Sequence, residues 1–263
     1  RSTPGCASWQ INFLIIRLKQ RLREQNLDDV MHTESIYKIL TETRYIYSDT
    51  IIILSVLIYL RWLDFQEGEQ EAIAAFEGAT YIPALPSELH WRHWFNSNAA
   101  NLQELLAHDL SRAMDRVKSG ENRLSAYFGP LSMLLRRLGQ CDAEVLQKIA
   151  GWIAEQPFET SADRRGLLDI FDDLLSKDRR PDADEYRSPE SIAKIVATLA
   201  APVPGDRVYD PCFGFAGFLT AAVEHLQEKN AGTSVLRGAM PEIHVYGMDV
   251  NLEAFCIGIT RLA

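Results

Sequence analysis

The chain has 263 residues, with 27 Lys+Arg against 36 Asp+Glu and a formal net charge of −9. Hydrophobic residues make up 47% and charged residues 24%, which is ordinary for a globular protein and excludes a largely disordered chain. The acidic balance argues against a protein that binds nucleic acid unaided, because such proteins usually carry a basic face. The four cysteines form no Cys-x-x-Cys pair, so we expect free thiols in a reducing cytoplasm.

The first 180 residues predict an all-α domain. Apolar residues recur there at spacings of three and four, and no segment alternates with period two. The apolar run 51–60 is too short to span a membrane, so we expect a buried helix that is N-capped by Asp49 and ends near Phe65. Further predicted helices cover residues 9–25, 34–47, 101–118, 142–155 and 162–176.

The pattern changes after a charged segment at residues 177–187, which predicts a linker. Ser188 is predicted to cap a helix with Pro189 at its first position and 191–200 as its body. A strand at 207–210, a glycine-bearing turn, a helix at 217–229 and a strand at 243–249 follow, with another helix after Asn251. Strand–helix–strand spacing of this kind predicts a parallel sheet with a right-handed crossover over residues 181–263. The expected fold class is therefore α plus α/β.

The first strand of this second part ends in a carboxylate, Asp210, and the turn after it contains Gly214. Ligands of nucleotide-type folds bind at the carboxyl ends of parallel strands, near helix N-termini. Asp210 would repel a phosphate, so a ligand with an amino group fits better, and Asp249 is placed to accept hydrogen bonds from ribose hydroxyls. The two carboxylates suit S-adenosylmethionine. The alternative reading is structural: Asp210 and Gly214 form an ordinary strand-to-helix turn, and Asp249 caps the following helix.

Three segments together resemble the adenine-N6 DNA methyltransferases, and more specifically the modification subunit of type I restriction–modification systems. They are Tyr186-Arg-Ser-Pro-Glu190, Asp210-Pro-x-x-Gly214-x-x-Gly217-Phe218-Leu219 and Val245-Tyr-Gly-Met-Asp-Val-Asn251. The resemblance implies a Rossmann-like domain that uses S-adenosylmethionine to methylate a flipped adenine. It also implies DNA as substrate, and a specificity subunit and a second modification subunit as partners. A restriction subunit is left open, and no membrane partner is expected.

The resemblance also assigns cofactor-binding residues. Those lining the methionine end would be Tyr186, Ser188 and Pro189, and those contacting its amino acid portion would be Asp210, Pro211 and Gly214. Gly217 and Phe218 would close the pocket, and Asp249 would hold the ribose.

Two departures from the family pattern raise a second interpretation. Phe215-Ala216 replaces the usual Ser/Thr-Gly, and we expect the phenylalanine and the extra methyl to lie where backbone should approach the ligand. No proline is followed by a second one, so the catalytic Asn/Asp-Pro-Pro-Phe/Tyr motif is missing and no catalytic residue is assigned. We expect the front part of a longer protein, inactive alone. The alternative is a non-catalytic helical assembly module with a degenerate methyltransferase-like portion.

A metal site is not expected. His90 and His93 are three residues apart, as one helix face could offer a metal, but no third ligand is evident nearby.

Overall fold

The computed structural model describes residues 36, 38–39, 47–83, 86–95, 101–118, 125–158, 161–176, 188–230 and 243–262. The predicted helix at 9–25 and the predicted linker at 177–187 lie outside these residues, as does most of the predicted helix at 34–47. Within the described part of the chain, no helix is both long and apolar enough to cross a membrane.

All the regular secondary structure described before residue 177 is helical. The helices are α1 (Tyr47–Phe76), α2 (Trp91–Trp94), α3 (Leu102–Glu104), α4 (Ser111–Lys118), α5 (Ser125–Leu138), α6 (Ala143–Glu155) and α7 (Ser161–Ser176). A 3₁₀ turn (Ser87–Leu89) precedes α2, and a π-helical segment (Leu105–Leu110) joins α3 to α4. The predicted all-helical character of this region is confirmed for the described residues.

Two details of the helical prediction are wrong. Asp49 lies within α1 instead of at an N-cap position, and α1 continues to Phe76 because Glu, Gln and Ala after Phe65 are good helix formers. Helix α5 has no counterpart in the prediction, because Gly129 and Pro130 within it are typical of a break. By contrast, α6 begins within one residue of the predicted helix at 142–155: Asp142 is its N-cap, and the Asp142 side chain accepts hydrogen bonds from the amides of Glu144 (2.8 Å) and Val145 (3.2 Å).

The second part of the chain alternates helices and strands. It contains α8 (Glu190–Ala200), β1 (Arg207–Asp210), α9 (Gly217–Asn230), β2 (His244–Gly247) and α10 (Leu252–Leu262). The strands pair in parallel, with Arg207 opposite His244 and Asp210 opposite Gly247. The predicted parallel sheet is thus confirmed, as a pair of strands.

The start of α8 differs from the prediction by one residue. Pro189 has φ −54° and ψ 132°, which is not helical, so it occupies the N-cap position in place of Ser188. No side chain caps this end; the carbonyl of Pro189 accepts the amides of Ile192 and Ala193, each at 3.0 Å.

One hydrophobic core joins the two parts of the chain. Buried side chains of α1 and α4–α7 form a continuous cluster with Phe213, Phe215 and Leu219 around the glycine turn and with Ala254, Cys256, Ile257 and Ile259 of α10. The hydroxyl of Thr260, which is fully buried, donates to the carbonyl of Ser55 in α1 (2.8 Å). Helix α10 is therefore anchored to the helical region that precedes the sheet.

Candidate functional site

The candidate site lies at the carboxyl edge of the two-stranded sheet. Asp210 ends β1 opposite Gly247, and Asp249 follows β2 by two residues, so the register brings both carboxylates to one edge. Oδ1 of Asp210 accepts the amide of Cys212 at 3.0 Å. Oδ2 of Asp210 is buried, and it has no hydrogen-bond partner among the described residues. A buried carboxylate oxygen costs free energy unless a donor satisfies it, so this atom is suited to a ligand N–H.

Asp249 fixes the glycine turn from the neighbouring strand. Its Oδ2 accepts the amide of Gly214 at 2.9 Å, and its Oδ1 accepts the amide of Asn251 at 2.7 Å. Gly214 has φ +52°, a left-handed conformation that glycine adopts without a Cβ penalty. The structural alternative, in which Asp249 caps the following helix, is wrong: Oδ1 of Asn251 accepts the amide of Ala254 at 2.9 Å, so Asn251 is the capping residue of α10. A carboxylate can accept about four hydrogen bonds, so Asp249 retains capacity for a ribose hydroxyl, and that role stays a prediction.

The Ser-Pro loop and the glycine turn meet, as the order of motifs predicts. A Cβ built on Gly217 would lie 3.9 Å from the carbonyl oxygen of Ser188 and 4.0 Å from its Cβ. Helices α8 and α9 pack behind this contact through small side chains, namely Ala193, Ala197 and Ala221, with Phe218 against them. The structure thus brings Ser188, Pro189, Gly217 and Phe218 together, and Tyr186 lies outside the described residues.

The side chains of Phe215 and Ala216, which replace the usual Ser/Thr-Gly, point into the core. Phe215 is 3% exposed and Ala216 is fully buried, and both belong to the main hydrophobic cluster. The expectation that these side chains lie where the backbone approaches a ligand is wrong, because burying the ring is more favourable than exposing it. The methyl group of Ala216 instead affects the cost of the backbone conformation. Ala216 has φ +59°, a left-handed conformation that costs a non-glycine residue about 1–2 kcal/mol.

Phe213 packs in the core next to the glycine turn, and it is absent from the site residues predicted from the sequence. Its ring is 4% exposed and packs edge-on against Phe255, with 5.6 Å between ring centroids. A Cβ built on Gly247 would lie 2.8 Å from Phe213 Cγ, and one built on Gly258 would lie 2.5 Å from Phe213 Cε2. Gly247 lies at a strand end and Gly258 lies inside a helix, and neither leaves room for a side chain. These two glycines are the signal in the sequence that could have revealed a large side chain packed against both.

Arg261 is the second residue that the sequence did not reveal. Its Nε and Nη2 donate to the two carboxylate oxygens of Asp172 in α7, at 2.6 and 3.0 Å. Its Nη1 donates to the carbonyl of Phe215 in the glycine turn. No local pattern could have shown this link, because Asp172 and Arg261 are 89 residues apart in the chain.

The two histidines have protein partners. Nδ1 of His90 lies 3.0 Å from Asp64 Oδ1, and Nδ1 of His93 lies 3.0 Å from the carbonyl oxygen of Ser87. Among the described residues, no group of three or more His, Cys, Asp or Glu side chains could hold a metal ion.

A separate groove of about 750 Å³ lies beside the 3₁₀ turn and the π-helical segment. Its charged walls pair with one another, as in the 3.3 Å contact between Arg116 and Glu88. It is lined by Glu88, His93, Leu105, Asp109, Arg112, Asp115 and Arg116, and none of these residues belongs to the glycine turn.

The second part of the chain is similar to a known protein family. Residues 165–262 match the N-6 DNA methylase family. This match contains both carboxylates and the glycine turn, and it confirms the resemblance that the motifs carry. In sequence, the chain is similar to the type I restriction enzyme EcoEI methylase subunit of Escherichia coli, with 23% identity over 208 residues. That alignment covers 74% of this chain and 40% of the relative.

Two solved structures show the same fold. One comes from work on complex assembly and conformational transition of the type I R-M system (TM-score 0.60, 23% identity), and it matches 96% of this chain and 48% of its own length. The other is a modification subunit of a putative type I restriction enzyme from Vibrio vulnificus YJ016 (TM-score 0.53, 20% identity), with 100% and 54% covered. The chain therefore spans about half the length, or less, of these relatives.

Proposed function

We propose that this chain carries the cofactor-binding edge of an S-adenosylmethionine-dependent adenine-N6 DNA methyltransferase, of the kind that serves as modification subunit in type I systems. The match to the N-6 DNA methylase family and the similarity to type I methylase subunits support this proposal. Residues 1–180 would form a helical domain and residues 181–263 the beginning of a Rossmann-like domain. DNA, a specificity subunit and a second modification subunit would be the partners of the whole protein, acting in the cytoplasm.

The observation that carries the proposal is the buried Oδ2 of Asp210, which has no partner among the described residues. It lies at a parallel-sheet edge next to a glycine turn held by Asp249. The amino group of S-adenosylmethionine would satisfy this oxygen, and a charge-assisted hydrogen bond of this kind is stronger than a neutral one. Two carboxylates at one edge disfavour a phosphate-bearing ligand, because like charges repel in a partly buried site.

Each residue of this edge would hold a different part of the cofactor. Asp210, Pro211 and Gly214 would bind its amino acid portion, and Asp249 would accept from the ribose. The methionine end would be lined by Tyr186, Ser188 and Pro189, with Gly217 and Phe218 closing the pocket. When bound, the cofactor supplies an electrophilic methyl group; the residues on this chain orient it and keep water away.

Isothermal titration of S-adenosylmethionine tests the proposal. We expect saturable binding to the wild type, and a Kd at least about tenfold higher for Asp210→Asn, since losing one charged hydrogen bond costs roughly 1.5–3 kcal/mol. Glu228→Gln is the matched control, because it removes one negative charge from an exposed position on α9. Its Kd should equal that of the wild type.

Two results would overturn the proposal. One is the absence of binding heat with a folded wild-type chain. The other is an equal Kd for wild type and Asp210→Asn, which would show that Asp210 is only a turn residue. S-adenosylhomocysteine, which keeps the amino acid and ribose portions, should also bind and be weakened by Asp210→Asn, whereas ATP should not bind.

A further inference from the structure

A residue outside the family motifs contacts the glycine turn. Phe215 and Ala216 lie between Gly214 and Gly217, and Ala216 adopts a left-handed conformation at φ +59°. An alanine in this region is strained and persists only where the surroundings fix it. The carbonyl of Phe215, which precedes this strained residue, accepts a hydrogen bond from Arg261 Nη1.

Arg261 is itself fixed by the helical region. Its planar guanidinium binds both oxygens of Asp172, at 2.6 and 3.0 Å, and the third nitrogen is the one that reaches Phe215. The Arg261 side chain is 20% exposed, and that of Asp172 is 44% exposed. Two parallel hydrogen bonds to a carboxylate fix the direction of a guanidinium as well as its position. The orientation of the Phe215 carbonyl therefore depends on a carboxylate of α7.

The charge of the same arginine also acts on the start of α8. The Lys194 ammonium is the main cause of a lowered pKa at Glu190, and the positive charge of Arg261 contributes to it. Glu190 begins α8 directly after Pro189.

We propose that Arg261, oriented by Asp172, is a positioning residue that fixes the cofactor-binding turn and so couples cofactor affinity to the packing of the helical region. This inference rests on the proposed function, because the ligand of the turn is the one proposed above. Arg261 acts through the backbone of Phe215 and Ala216. Its loss lowers the fraction of molecules whose turn is ready to bind.

Asp172→Asn tests the inference without touching the turn. The substitution keeps the side-chain size but removes the charge that orients the guanidinium. If the binding-competent fraction falls to about one tenth, the apparent Kd for S-adenosylmethionine rises about tenfold, since apparent affinity scales with that fraction. Asp172→Glu keeps the charge and should recover part of the affinity. Arg261→Lys should not recover the affinity, because a single ammonium cannot bind both oxygens of Asp172 and the carbonyl of Phe215 in the fixed geometry of a guanidinium.

Arg137→Gln is the matched control. Arg137 in α5 pairs with Glu253 in α10 at 2.6 Å, so this ion pair also joins the helical region to α10. The hydrogen bond from Arg261 to Phe215 does not involve this pair, so Arg137→Gln should leave the Kd unchanged. If Asp172→Asn and Arg137→Gln raise the Kd equally, the effect is a general loosening of α10 and the inference is wrong. It is equally wrong if the wild type binds and Asp172→Asn binds as tightly.

Amide hydrogen exchange separates this inference from the proposed function, because it needs no cofactor. Exchange in a peptide covering residues 213–220 should be about 5–10-fold faster in Asp172→Asn than in the wild type, and unchanged in Arg137→Gln. Unchanged exchange in Asp172→Asn would overturn the inference even if the cofactor binds. Absent cofactor binding in the wild type, together with faster exchange in Asp172→Asn, would overturn the proposed function and leave the role of Arg261 in fixing the turn intact.

Discussion

The close packing of Phe213 beneath the glycine turn makes a sharp prediction for Gly258→Ala. Gly258 is a buried residue of α10, and a Cβ built on it would lie 2.5 Å from Phe213 Cε2 and 2.8 Å from the carbonyl oxygen of Gly214. The second contact is with backbone that Asp249 holds, so relief requires the turn itself to shift. Overpacking of this kind costs about 1–3 kcal/mol. The gain in helix propensity from glycine to alanine is about 1 kcal/mol and acts in the opposite direction.

Gly166→Ala in α7 isolates the packing effect. Gly166 is also inside a helix, is exposed, and has nothing within 4 Å of a built Cβ, so this variant should be stabilised by roughly 1 kcal/mol. The propensity gain is common to both variants, so Gly258→Ala should be less stable than Gly166→Ala by about 1–3 kcal/mol. Urea denaturation followed by circular dichroism measures both free energies of unfolding. Equal stabilities of the two variants would refute the packing of Phe213 against Gly258.

Two further predictions concern the contacts that hold the helical region. Thr260→Val should lower the free energy of unfolding by about 1–2 kcal/mol, because it keeps the methyl group and removes the hydroxyl that donates to the buried carbonyl of Ser55; an unchanged stability of Thr260→Val would contradict the contribution of this hydrogen bond. Burial first, and then the charge of Asp172, raise the pKa of Asp169. A raised folded-state pKa means that ionised Asp169 destabilises the fold above that pKa and that the penalty disappears as the pH falls. Asp169→Asn should therefore stabilise the protein at pH 7, by well under about 1 kcal/mol after solvent screening, and have no effect near pH 3. Denaturation at the two pH values checks this, and a larger gain at the lower pH would contradict the sign.

Local chemistry along the chain was enough to predict most of the elements, whereas the cofactor-binding residues remain a prediction. The hydrophobic period and the placement of Gly and Pro, which act within a few residues, predict the two strands, the helices on either side of the turn and the helix after residue 142. The sequence-based prediction was wrong where packing outweighed a local signal. Pro130 lies inside α5 because its neighbours Phe128, Leu131 and Leu134 are fully buried and their packing outweighs one lost hydrogen bond.

By itself, the sequence placed Asp210 at the end of one strand, Gly214 in the turn after it and Asp249 at the end of the next strand, because these positions follow from the local pattern. Only the tertiary structure decided what surrounds them. Phe215 is buried in the hydrophobic core. The sequence predicted that its side chain would lie against a ligand, whereas in the structure it packs beneath the turn. The link from Asp172 through Arg261 joins positions 89 residues apart. Contacts of that separation depend on how α7 and α10 pack, a relation that no spacing in the sequence encodes.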